Sequence, residues 1–158
     1  MRNQLFMASF ILPMLFLSTS TIADKLTLKV GDTLTEMSLH NQFNKPLNVT
    51  SQTQVLLFSR DMDGGAVIQA AFEQTPANKR PENLVYVADI SGMPSLIAKF
   101  IAVPKMQDYS FMLGLDREGD ITARFPAEKS QATIIKINQL KVISIAYAQD
   151  VESLIVQW

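Results

Sequence analysis

The chain has 158 residues, no cysteine, one histidine, 14 basic and 15 acidic side chains, and a net charge of −1. That length fits one domain. The missing cysteine excludes disulfides, thiol chemistry and Cys-ligated metals, and the even charge balance, without blocks of like charge, argues against a nucleic-acid face.

In chain order, the opening "MRNQLFMASFILPMLFLSTSTIA" is the first element. Arg2 gives it a short basic start, and an apolar run follows from Leu5 to Leu17. Thr21-Ile22-Ala23 then supplies small residues ahead of a cut. This is the layout of a secretory signal peptide over residues 1–23, with an apolar core too short for an ordinary membrane span. An uncleaved anchor is the alternative. Lipidation is excluded because no cysteine can carry the lipid. The reading predicts an exported domain over residues 24–158, periplasmic if the source is a Gram-negative bacterium, with no membrane attachment once the leader is removed.

"KLTLKVGDTLTEMSLHNQFNKPLNVT" alternates apolar and polar residues around Gly31-Asp32, with a second turn at Asn41–Pro46. It predicts short antiparallel strands at a sheet edge. The continuous apolar run Thr53–Ser59 predicts a strand covered on both faces. After Gly65 a helix is predicted, with Ala66, Val67, Ala70 and Ala71 on its buried face and its end near Thr75-Pro76. Asn83–Ile90 is the second central strand. "GMPSLIAKFIAVP" predicts a helix that opens at Pro94, buries Leu96, Ile97, Phe100 and Ile101, turns Lys99 to water and stops at Pro104.

Tyr109–Asp116 predicts a third strand, ending in a turn at Asp116–Asp120. "DITARFP" is a short helix or an irregular piece. Ala132–Ile137 and Lys141–Ala146, joined by Asn138-Gln139-Leu140, form a hairpin. A closing helix follows, capped by Asp150, with Val151, Leu154, Ile155 and Trp158 at helical spacing. The order predicts an α/β three-layer sandwich: a central mixed sheet with a C-terminal β-hairpin and a closing helix.

That order resembles the thioredoxin-like fold, and its peroxiredoxin-like branch in particular. The lead-in "VGDTLTEMSLHNQFNKPLNV" looks like the opening of such chains. "YSFMLGLDREGDITARF" resembles the strand and helix that the branch inserts, and "ATIIKINQLKVISI" falls where the family has its last two strands. The chain is also similar to a group of exported bacterial proteins with "YVADISGMP"-type and "PKM"-type segments, a likeness that brings no activity with it. The resemblance implies a reactive site just past the first central strand, at a helix N-terminus. Counting on from Phe58 puts Asp63 and Ala66 at the two cysteine positions, with Gly64-Gly65 between them. The resemblance also implies a cis-proline near Ala132, where this chain has none. The redox site is therefore missing from both sides, and a fold can persist without its site.

Arg60, Asp61 and Asp63 fall at the carboxyl end of a central parallel strand, where open α/β sheets bind ligands. Gly64 and Gly65 would let a ligand approach the backbone, and the helix start could hold an anion. Asp89 and Ser91 are expected on the same edge. The structural alternative is that an Asp caps the helix, the glycines make the turn and Arg60 pairs with a carboxylate. "DMDGG" begins like a calcium loop but lacks its later oxygen ligands. His40 has no partner of metal-binding spacing. Met93, Met106 and Met112 fit core filling better than a soft-metal site. No G-x-G-x-x-G follows a strand, against a flavin or nicotinamide dehydrogenase. No cofactor and no metal site is predicted.

Three functions remain open on the sequence. One is a non-redox domain that binds an exported partner protein or a small ligand at the former active-site edge, through Arg60, Asp61, Asp63, Gly64, Gly65 and Asp89. Another is an enzyme using the Arg60/Asp61/Asp63/Asp89 edge for acid–base chemistry, which requires environments that push carboxylate pKa values apart. The last is a structural or assembly role.

Overall fold

The computed structural model describes residues 27–158; the leader assigned to residues 1–23 and the start of the domain at residue 24 lie outside the described residues. Strand β1 (Met37–Asn41) and strand β2 (Pro46–Val49) form an antiparallel pair around the turn at Asn44, whose φ is +60°. Strand β3 (Val55–Ser59) follows, every residue of it buried. Helix α1 (Met62–Gln74) leads through a short 3₁₀ turn (Ala77–Lys79) to strand β4 (Leu84–Asp89). Next comes one helical stretch in three parts: α2 (Ser95–Ile97), a π-helical turn (Ala98–Ala102) and α3 (Val103–Gln107). Strands β5 (Gly114–Asp116), β6 (Ala132–Asn138) and β7 (Lys141–Ala148) and helix α4 (Val151–Gln157) complete the fold.

The strands make one mixed sheet in the order β2-β1-β5-β4-β3-β6-β7. β3, β4 and β5 are parallel and central; β6 and β7 extend one side antiparallel, β1 and β2 the other. Alternation along β3 divides the core in two. Val55 and Leu57 face a helical layer that includes Ile68, Ala71, Phe72, Ala98, Val103 and Leu154. Leu56 and Phe58 face a layer without helices, built on Leu28, Leu34 and Phe125. The sheet is thus the middle of three layers, and the third is made of extended and irregular chain.

The edge antiparallel pair, the doubly covered β3, the second central strand and the closing helix stand where the sequence put them. The hairpin does too, running two residues further along β7. Its turn residues Gln139 and Leu140 both take positive φ, the backbone a two-residue hairpin needs. Residues 31–34 do not join the β1–β2 edge but cross to the opposite one. There Gly31 N donates to Val142 O (2.9 Å) and Leu34 N to Leu140 O (2.8 Å). β5 is shorter than the Tyr109–Asp116 run, because Phe111 and Leu113 pack into the helical-side core from irregular backbone.

Four helical expectations are corrected. α1 begins at Met62, not after Gly65, because Asp61 caps it: its Oδ1 accepts from Gly64 N at 2.8 Å. The buried face of α1 is Gly64, Ile68, Ala71 and Phe72, while Ala66 is exposed. Pro104 does not stop the second helical stretch. A proline lacks the N–H its helix needs and crowds the carbonyl four residues back. Here the helix widens into a π turn at Ala98–Ala102 just ahead of the proline, with Val103 N bonding Ala98 O five residues earlier, and continues through Pro104 to Gln107. The expected buried stripe is also reversed. Ala98 and Val103 pack inward, while Leu96, Phe100 and Ile101 are 70%, 65% and 63% exposed and Ile97 is exposed as well. No helix among the described residues is long and apolar enough to cross a membrane.

Candidate functional site

The carboxyl ends of β3, β4 and β5 lie side by side, so the loops leaving them share one edge. Arg60 leaves β3, Asp89 ends β4 and Asp116 ends β5. The Arg60 guanidinium donates from Nε to Asp89 Oδ2 (3.2 Å) and from Nη2 to Thr122 O (2.7 Å), and sits 5.2 Å over the Phe58 ring. The other Asp89 oxygen accepts from Ser91 N (3.0 Å) and Ser91 Oγ (2.7 Å). Asp116 is buried and fully used. One oxygen accepts from Gly119 N (2.9 Å), the other from Thr122 N (2.7 Å) and Thr122 Oγ1 (2.9 Å). These bonds tie the ends of three neighbouring strands together.

Asp61 and Asp63 form a separate group. Asp61 Oδ2 accepts from Ser130 N (2.8 Å), and Ser130 Oγ donates to Asp63 Oδ2 (2.8 Å). The cap of α1 is thereby stitched to the residues entering β6. A side chain on Gly64 would run into the Gln131 carbonyl, so this protein's own backbone fills the space that the glycine leaves. Gly65 lies behind it, where an added Cβ would come within 3.4 Å of Tyr86 Oη and 3.5 Å of Ser59 Oγ. Those two hydroxyls are hydrogen-bonded at 2.8 Å. Burial pushes the Tyr86 hydroxyl far above its ordinary range, the Ser59 bond opposing it more weakly.

Of the residues singled out in the sequence, Arg60 and Asp89 meet, Asp61 and Asp63 meet through Ser130, and Gly64 and Gly65 back onto protein. Asp89 and Ser91 share the edge as expected. No group of three or more metal-type side chains comes together among the described residues. Asp116, Thr122 and Ser130 are the members that sequence reasoning missed. Ser130 lies 69 residues from the Asp61 it bonds. Its one sequence signal is its place three residues before Thr133, which pairs with Phe58 at the end of β3.

No protein-family model and no curated protein matches this sequence. Solved structures of similar fold include the peroxidoxin BcpB from Mycobacterium tuberculosis, with a TM-score of 0.54 at 16% identity over 82% of this chain and 96% of that one. The thioredoxin domain of a thiol-disulfide oxidoreductase from Bacteroides vulgatus superposes with a TM-score of 0.53 at 9% identity, over 82% and 97%. A peroxiredoxin-like protein from Aquifex aeolicus gives 0.52 at 12% identity, over 82% and 85%. At these identities the likeness is one of fold. The chain has the thioredoxin-like fold and no cysteine anywhere in its sequence.

Proposed function

We propose that this is an exported, non-redox thioredoxin-like domain that docks a partner protein on the carboxyl edge of its sheet. The observation that carries this reading is where the exposed apolar side chains lie. Met62 is 80% exposed just past β3; Leu96, Ile97, Phe100 and Ile101 follow β4; Ile121 follows β5. These six, of the eleven large apolar side chains exposed among the described residues, sit on segments leaving the carboxyl ends of the three central strands. Of the charged groups at the same edge, Arg60 and Asp89 pair with each other, and Asp61 and Asp63 are held by Ser130. What the edge offers a partner is therefore apolar surface beside charges already held by hydrogen bonds within the chain, which suits an interface with an apolar core and a polar rim. Acid–base catalysis has less support, since each carboxylate is already committed to donors of the same chain. Export rests on the leader pattern, and the non-redox role on the absence of cysteine.

A photo-crosslinking residue placed at Phe100, with a control at Val156 on the closing helix, tests the docking in the cell of origin. Val156 is at least as open to solvent, at 79% exposure against 65% for Phe100. A discrete protein adduct is expected at Phe100 and not at Val156, and Leu96→Ser with Met62→Ser should abolish it. No adduct at Phe100, or the same adduct at both positions, sinks the reading. Fractionation of the same cells checks export.

A further inference from the structure

At the other end of the parallel strands, where α1 ends and β4 begins, a cleft of about 340 Å³ opens to solvent. That is near the lower bound for small-molecule sites. The rings of Phe72 and Phe111, both buried, stack at its base at 4.2 Å and 13°, and Leu47, Leu84 and Met112 add apolar wall. Arg80 supplies its one charge. The guanidinium lies 4.8 Å over the Phe72 ring and donates from Nε to Thr75 O (2.8 Å) and from Nη2 to Phe72 O (2.6 Å).

Those two bonds fix the guanidinium without cancelling its charge, because both acceptors are neutral carbonyls. The ion pairs found between described side chains, Arg60 with Asp89 and Arg124 with Asp32, do not involve Arg80. A guanidinium has five N–H groups, and two are used here. Both hydrogens on Nη1 and one on Nη2 remain, and together they form the end of the fork that accepts a carboxylate bidentately. An immobilised cation beside an aromatic floor, in a cleft of this size, suits an anion with a short apolar body.

We propose that this cleft binds a small monocarboxylate, its carboxylate on the Nη1/Nη2 end of Arg80 and its apolar body along Leu47, Leu84 and Met112, above the buried Phe72–Phe111 stack. The same chemistry is presented by a free alkanoate and by the C-terminus of a peptide ending in an apolar residue. The site is separate from the carboxyl edge and stands whether or not a protein docks there.

The test is an NMR titration of the purified full-length chain with hexanoate, N-acetylleucine, hexylamine and hexanol. Hexanoate or N-acetylleucine should shift the amides of Phe72, Arg80, Leu84 and Met112 with a dissociation constant on the order of 1 mM, as a ligand of so few atoms allows. The tighter of the two names the source. Hexylamine and hexanol should bind at least about tenfold more weakly. Arg80→Gln should lose binding by a similar factor. Because Arg80 also holds the end of α1, Ala77→Trp serves as the second variant: it fills the cleft mouth, leaves the Arg80 bonds intact and should also abolish binding. Equal binding of hexanoate and hexylamine, unchanged binding in folded Ala77→Trp, or no shift at about ten times the expected constant would overturn the proposal.

Discussion

Gly64 and Gly65 look alike in the sequence and do different work. A methyl group on Gly64 meets the Gln131 carbonyl, a backbone atom that cannot step aside. Gly64→Ala should therefore cost about 1–3 kcal/mol, the range of forced core overpacking. Gly65→Ala meets only ordinary contacts in an α-helical position and should gain up to about 1 kcal/mol from helix propensity. Urea unfolding of the two single variants checks the contrast; equal effects would refute the account of close approach. The sequence flagged both positions, because paired glycines after a strand demand a reason. It could not tell approach by a ligand from approach by residue 131, since that contact spans more than sixty residues of chain.

Among the elements, the start of α1 depends on Asp61 twice, through Gly64 N within the helix and Ser130 N beyond it. Asp61→Ala removes an N-cap and a cross-chain bond and should cost about 2 kcal/mol. Hydrogen exchange should then show the first turn of α1 and residues 128–131 opening together. Protection lost at α1 alone would mean that Ser130 is held by other contacts. The strands were legible because a run such as Val55–Ser59 has no other stable use: five consecutive buried residues fit a central strand. The helical stretch from Ser95 to Gln107 was legible only as a helix. Leu96, Ile97, Phe100 and Ile101 do share a face, but periodicity identifies an apolar face without saying what covers it. Here it is exposed, and the smaller Ala98 and Val103 pack inward. The polar edge was half legible. Arg60 and Asp89 follow from strand order, whereas Thr122 and Ser130 arrive from loops that no spacing rule places.

For the molecule as a whole, the buried Tyr86 sets a limit at high pH. Burial raises its hydroxyl, and burial, helped by Glu73 and Glu128 respectively, also raises those of the more open Tyr109 and Tyr147. The folded state then holds these protons to higher pH than the unfolded chain, which releases them near pH 10. The stability they contribute is full below about pH 10 and falls above it, by up to about 1.4 kcal/mol per pH unit from Tyr86. Urea midpoints from pH 8 to 11.5 should decline at the upper end, and Tyr86→Phe should flatten that decline. An unchanged slope would remove Tyr86 from the explanation. The π turn at Ala98–Ala102 has a consequence of another kind, written in insertions and deletions. Such a turn is an α-helix carrying one residue too many. Losing that residue, Lys99 for instance, would rewind the turn and rotate Leu96 and Ile97 by about 100° relative to Val103. One codon therefore separates a chain that presents those side chains on this face from one that turns them more than a quarter of the way round the helix.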